Sequence, residues 1–263
     1  VKMFEHHKKE SPILSLAGVG GGPSSYIFYS AAGGGGDEIS RALRFNSGDG
    51  TYLNKTPSQG SRQRFTWSGW VKKGTYTSNT TFFSAGSDGS NRSHFMFDGT
   101  LHQLRFFDLP TSTGLVTTDV FQDLNAWYHL VLAVDTTQGT AANRVKFYVN
   151  GRQITDFSSE TYPGPNANMM MTSAVEHRIG SGIAYGEHFD GYLADVHLVD
   201  GSQLDASSFG SFDSDNVWQP KAYGAAHGTA GFHLKFDDTS TNSALGTDSA
   251  GSNDFAVYNL ISQ

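Results

Sequence analysis

The chain has 263 residues, no cysteine, 16% charged residues, 31 glycines, 13% aromatic residues and a formal net charge of −7. That length suits one large all-β domain or two small ones, and it can bury a full core without covalent help. Absent cysteines exclude disulfides and thiolate metal sites, and the negative balance, with no basic stripe, argues against binding to a phosphate backbone.

Residues 1–36 are Gly-rich and irregular, with apolar anchors at Met3, Phe4, Ile13, Leu14 and Leu16 and again at Tyr26 to Tyr29. The apolar piece Ile13 to Val19 is short, and Glu5, Glu10, Pro12 and a glycine run break it up, so an uncleaved tail is expected rather than a signal peptide. Such a segment buries too little to offset its ordering entropy alone. It reads as an arm that orders on a partner, with a first strand plus linker as the alternative. No run of about 18 apolar residues occurs, so no membrane-spanning helix is expected.

From residue 41 the hydrophobic period becomes two. "ALRFN" and "GTYLN" flank a Gly-Asp-Gly turn, "RQRFTWSGWVKKG" places Phe65 and Trp67 on one face, and "TTFFSAGSDGSNRSHFMFDGTLHQLRFFD" reads as three strands. In "WYHLVLAVD" both faces are apolar: Tyr128, Leu130, Leu132 and Val134 on one side, Trp127, His129, Val131 and Ala133 on the other. This predicts a central strand covered on both sides. "RVKFYVNG" turns Val145, Phe147 and Val149 inward, and Asn150-Gly151 suits a two-residue hairpin turn. "HRIGSG" and "HFDGYLADVHLVDG" add strands, and "DASSFGSF" suggests one short helix. Met169, Met170 and Met171 suit either a core strand or a partner contact. Short strands with frequent turn signals predict an all-β, antiparallel sandwich. The expected division is 1–40 for arm and linker, 41–210 for the sandwich, and 211–263 for a segment returning to the sandwich or to a larger particle.

Chemistry is sparse along these strands. His6 and His7 lie in the tail, the remaining histidines are scattered singly, and no His-x-His or His-Glu-x-x-His spacing occurs, so a zinc site is not expected. Asp88 and Asn91 in "GSDGSN" form a loop-borne oxygen cluster that could serve calcium or simply make a turn. Asp195 falls on the core-facing alternation of "YLADV", where a carboxylate needs a partner.

The order "LRFNSGDGTYL", "FTWSGWVKKG", "FFSAGSDGSN", "WYHLVLAVD", "FYVNGRQI" and "FDGYLADV" resembles the laminin-G-like branch of the concanavalin A-like jelly rolls, pentraxins among them, over about residues 41–210. The resemblance implies a structural calcium between the first strand pair and the last long strand, where Asp49 and Asp195 stand. It also implies glycan binding, for which loop residues Tyr76, Tyr162, Tyr185 and His188 offer aromatic faces and polar groups. Glycoside hydrolases share the fold but need two facing carboxylates. Only six glutamates occur, three of them in the arm, and none forms such a pair, so no enzyme is expected. The leader "MFEHHKKESPILSLAGVGGG" and the tail "GTAGFHLKFDDTSTNSALGTDSAGSNDFAVYNL" resemble segments of virion structural proteins of marine tailed phages, cyanophages especially. They imply a non-enzymatic component of the phage particle surface, a capsid decoration, capsid fibre or tail fibre. It would be anchored through Met3, Phe4, Ile13, Leu14 and Leu16, partnered by other virion proteins, homo-oligomeric on the particle, and without nucleic acid. The alternative is a secreted, calcium-dependent lectin-like module.

Overall fold

The alternating stretches all become strands, and they pair into two antiparallel sheets. The computed structural model describes residues 39–75 and 79–262. The first sheet has the order β1 (Leu43–Phe45), β13 (Gly191–Asp200), β3 (Arg64–Lys73), β8 (Tyr128–Asp135), β9 (Val145–Val149), β10 (Arg152–Ile154), and β16 (Phe232–Leu234) pairs the distal half of β13 beyond β1. The second has the order β11 (Phe157–Thr161), β7 (Thr113–Val120), β6 (Gln103–Asp108), β5 (Arg92–Phe97), β4 (Thr80–Gly86), β12 (Glu176–Ile179), β2 (Tyr52–Lys55), β17 (Ala256–Tyr258). A small hairpin, β14 (Gly210–Phe212) with β15 (Trp218–Pro220), stands apart from both. Helical turns among the described residues are short 3-10 pieces only, and "DASSFGSF" yields one at Ala206–Ser208. No helix of the described residues is long and apolar enough to cross a membrane.

Between the sheets lies an aromatic core. Trp67 packs its ring 5.4 Å from Phe82, and Phe82 meets Phe95 edge-on at 4.7 Å, a geometry that suits ring quadrupoles. The expected inward residues of β8, namely Tyr128, Leu130, Leu132 and Val134, all join this core. The opposite face of β8 is buried too: Val131 and Ala133 pack under Ala206 and Phe209, with Leu204, Trp218 and Tyr223 around them. The 3-10 turn and the β14–β15 hairpin therefore form a cover over the first sheet's outer face, which is why this strand is apolar on both sides. Close approach fixes the cover. A side chain at Gly151, whose φ is +79°, or at Gly210 would collide with the Trp218 ring at 2.3 Å. Asn150 (φ +47°) and Gly151 make the expected hairpin turn between β9 and β10.

Met169 and Met171 are buried in the core, but on an irregular segment rather than a strand, and Asp108 Oδ2 accepts from the Met170 N–H at 2.8 Å. The C-terminal segment returns to both sheets: β16 extends the first and β17 extends the second.

One departure from the alternation matters for chemistry. The pairing of β13 with β3 is irregular between Ala194 and His197, and Asp195 there has a left-handed φ of +49°. This bulge inserts one extra residue. Leu193, Val196 and Leu198 consequently face the core, while Ala194 and Val199 face outward. The expectation that Asp195 points into the core is thereby corrected, because the bulge swings it out beside His197.

Candidate functional site

Two polar constellations stand out. The first is a cleft of about 290 Å³ lined by Ser47, Asn79, Tyr185, Gly186, Glu187 and His188. Ser47 comes from the 3-10 turn Ser47–Asp49, Asn79 precedes β4, and the rest belong to the loop between β12 and β13. Glu187 forms its floor: its Oε2 accepts from His94 Nδ1 at 2.9 Å and Thr81 Oγ1 at 3.3 Å, and its Oε1 from Asn79 Nδ2 at 3.1 Å. The His94 tautomer is set from the other side, where Nε2 accepts from the Ile183 N–H at 3.1 Å. Burial pushes the Glu187 pKa up, but these hydrogen bonds outweigh it and hold the carboxylate ionised below its usual range.

At the rim, Tyr185 is 63% exposed, with the Arg92 guanidinium 4.5 Å from its ring centre. His188 is kept neutral by burial and by the nearby charge of Arg178, and its Nδ1 is buried without a hydrogen-bond partner among the described residues. Next to it Tyr52 lies 6.2 Å away and stacks on Tyr258 at 4.5 Å, so β17 continues the aromatic row. Of the expected glycan contacts, Tyr185 and His188 are brought together. Tyr162 sits elsewhere, at the far edge of the second sheet, where its hydroxyl donates to Glu160. Tyr76 lies outside the described residues, as do Met3, Phe4, Ile13, Leu14 and Leu16. Ser47, Asn79, Tyr52 and Tyr258 carry no sequence signal because they come from separate segments, and Glu187, considered only as a catalytic carboxylate, is placed here by its contacts with Asn79, Thr81 and His94.

The second constellation lies on the first sheet's outer face. His197 on β13 and His233 on β16 are directly opposed across the strands, and their rings stack at 3.8 Å. Asp195 Oδ1 accepts from His233 Nε2 at 2.6 Å and lies 3.3 Å from His197 Nε2. His197 Nδ1 meets His227 Nε2 at 2.9 Å. One ligand nitrogen from each of His197, His227 and His233 falls within a set no wider than 4.8 Å. Nearby, His129 Nε2 bonds Ser68 Oγ at 2.9 Å and its Nδ1 accepts from Trp218 Nε1 at 3.0 Å, tying the cover to the sheet. Burial drives the His129 pKa down to about 3 and the His227 pKa down to about 4.

The oxygen donors expected for calcium do not converge. Asp49 is in the β1–β2 turn, bonded by Asn46 Nδ2; Asp195 is held by histidines; Asp88 and Asn91 are in the β4–β5 turn. There Asp88 is satisfied by Asn91 Nδ2, the N–H groups of Ser90 and Asn91, and Ser87 Oγ, which bring its pKa down to about 2. Where the first strand pair meets β13, Arg44 pairs with Asp190 at 2.8 Å, a fixed cation at the implied calcium position. These residues do not fit a calcium cage.

No curated protein matches the sequence. Among solved structures, the heptameric SAP-like pentraxin of Limulus polyphemus is similar at 14% identity, covering 62% of this chain and 76% of that one, with a TM-score of 0.45. A putative carbohydrate binding protein of Bacteroides ovatus is similar at 16% identity, over 70% of this chain and 61% of that one, with a TM-score of 0.43. Mouse laminin alpha1 domains LG4-5 are similar at 12% identity, over 78% and 49%, with a TM-score of 0.43. The concanavalin A-like lectin/glucanases superfamily matches residues 45–207, more than half of the sequence. The chain belongs to that superfamily.

Proposed function

We propose that this chain is a non-enzymatic adhesion module that grips glycans through the cleft between Ser47 and the 185–188 loop. The observation that carries the reading is the rim itself: an exposed aromatic ring, Tyr185, over a cleft that the imidazole of His188 also lines. Sugars are held by an apolar ring face and a few fixed polar groups, and Ser47 and Asn79 supply two more. The lectins within the superfamily fit this use. The carboxylate in the cleft supports a binding role over catalysis, because His94, Asn79 and Thr81 occupy its oxygens and keep its proton off. A general acid would instead need a raised pKa.

The leader and tail resemblances extend the proposal: the module is displayed on the surface of a tailed-phage particle, as a decoration protein or as a capsid or tail fibre component. Residues 1–40 attach it to other virion proteins, in a homo-oligomer set by the symmetry of the attachment site. Retention on a panel of immobilised glycans tests the cleft. Binding that is unaffected by Tyr185→Ala and His188→Ala together would remove it as the site. Mass spectrometry of density-purified particles, with and without residues 1–36, tests the location. Recovery of the chain only in the lysate supernatant would exclude the virion and favour a free lectin-like module.

A further inference from the structure

We propose that His197, His227 and His233 form a binding site for a borderline divalent transition ion of the zinc class, and that the ion pins the C-terminal segment to the sheet. The three imidazoles come from β13, from the loop after β15 and from β16, so one ion would join β13 to two neighbouring stretches of the C-terminal segment.

Tautomers decide whether such a site is ready. An ionised carboxylate only accepts hydrogen bonds. Asp195 Oδ1 lies 2.6 Å from His233 Nε2 and 3.3 Å from His197 Nε2, so one carboxylate oxygen faces both rings. Both His233 and His197 therefore present Nε2–H to Asp195, which leaves their Nδ1 atoms as lone pairs. The His197 Nδ1 lone pair is the atom that faces His227 Nε2 at 2.9 Å, and one proton holds those nitrogens together. When His227 carries its proton on Nδ1 instead, its Nε2 becomes a second lone pair, and a cation in place of the shared proton can form a metal–nitrogen bond to each ring. A carboxylate behind ligating histidines is the arrangement that orients imidazoles and raises their basicity at metal centres.

Two further features fit. Asp195 occupies a bulge with a left-handed φ, a local irregularity that brings the carboxylate behind the histidine pair instead of into the core. The backbone of His227 is tethered, with the Asp200 N–H donating to its carbonyl at 2.8 Å, so the ring alone must swing out of its parallel stack to point at an ion. Nitrogen donors of this kind select zinc, copper or nickel over calcium. In a chain without cysteine, such an ion would perform the tethering that a disulfide cannot.

The test uses the full chain carrying His6→Ala and His7→Ala, so that the paired tail histidines do not report. Cobalt(II), titrated into the metal-free protein, serves as the optical probe, and zinc-induced thermal shift as the second readout. The expected result is one equivalent of cobalt giving the intense visible bands of a four- or five-coordinate site, displaced by zinc, with a higher unfolding midpoint. His227→Ala should weaken affinity by about 100-fold or more and abolish the zinc-induced shift, read against that variant's own midpoint in chelator. Asp195→Asn should weaken it by about 10- to 100-fold through lost orientation. Absence of the bands, or one-equivalent binding that survives His227→Ala, would overturn the proposal.

Discussion

The interior between the sheets and the cover over the first sheet's outer face are both buried, yet they are built by opposite means. The interior is almost wholly apolar and aromatic, assembled from strand residues that recur every second position. The cover is held by directional contacts: Trp218 to His129, His129 to Ser68, and Asp195 to two histidines. Hydrophobic burial is nondirectional and tolerates local rearrangement, whereas a buried polar network is favourable only while every member keeps its partner. The two regions should therefore fail differently.

Acid should break both, with the largest effect. His129 under the cover and His177 against Phe83 in the interior are each held at about 3 by burial, so both are neutral in the folded protein. In the unfolded chain they protonate near 6.5, and the unfolded state binds more protons below that pH. Stability is thus fully present above about pH 6.5 and is lost as pH falls toward 4, on the order of 1 kcal/mol per pH unit for each histidine. Urea midpoints across this range measure the slope. His177→Leu should remove the interior's share and leave the cover's.

Next in size, Trp67→Ala should cost about 3–5 kcal/mol in urea denaturation, because the cavity lies among Phe82, Phe83 and Phe95. Trp218→Ala should cost less, about 2–3 kcal/mol, since its ring is only partly buried. It should also raise hydrogen exchange in β14, β15 and the outer residues of β8 before the interior responds; a uniform rise would show that cover and interior are one unit. Asp195→Asn should cost about 1–2 kcal/mol, because the amide keeps an acceptor oxygen for His233 and His197 but loses the charge that strengthens both contacts. Smallest of all, Tyr185→Ala should change stability by less than about 0.5 kcal/mol while reducing glycan retention, which separates the cleft's role from that of either buried region.

The same contrast explains what the sequence disclosed. Periodicity of two marks most strands of the interior, though not β7, β11, β16 or β17, and it exposed the double-sided burial of Tyr128–Asp135 without identifying what lies on the outer side. The cover's contents were hidden because they depend on pairing between residues 36 apart, His197 with His233, and on a bulge that no alternation announces. Short-range spacing is blind to this cluster, since strand pairing rather than local spacing assembles the three histidines. For the cleft, loop aromatics at Tyr185 and His188 were visible as turn-flanked rings. Ser47 and Asn79 were not, because nothing local marks a polar residue as lining a cleft.

The pairing of β16 with β13 and of β17 with β2 also bears on where this domain can be divided. The matched superfamily region stops at residue 207, but one side of each sheet is extended by a strand from 232–258. A fragment trimmed to the matched region would present two rows of unpaired backbone N–H and C=O groups, the templates through which sheets join edge to edge. A chain cut at residue 207 should therefore associate more readily than one kept through residue 258, because the last strands replace longer bare edges by three-residue ones.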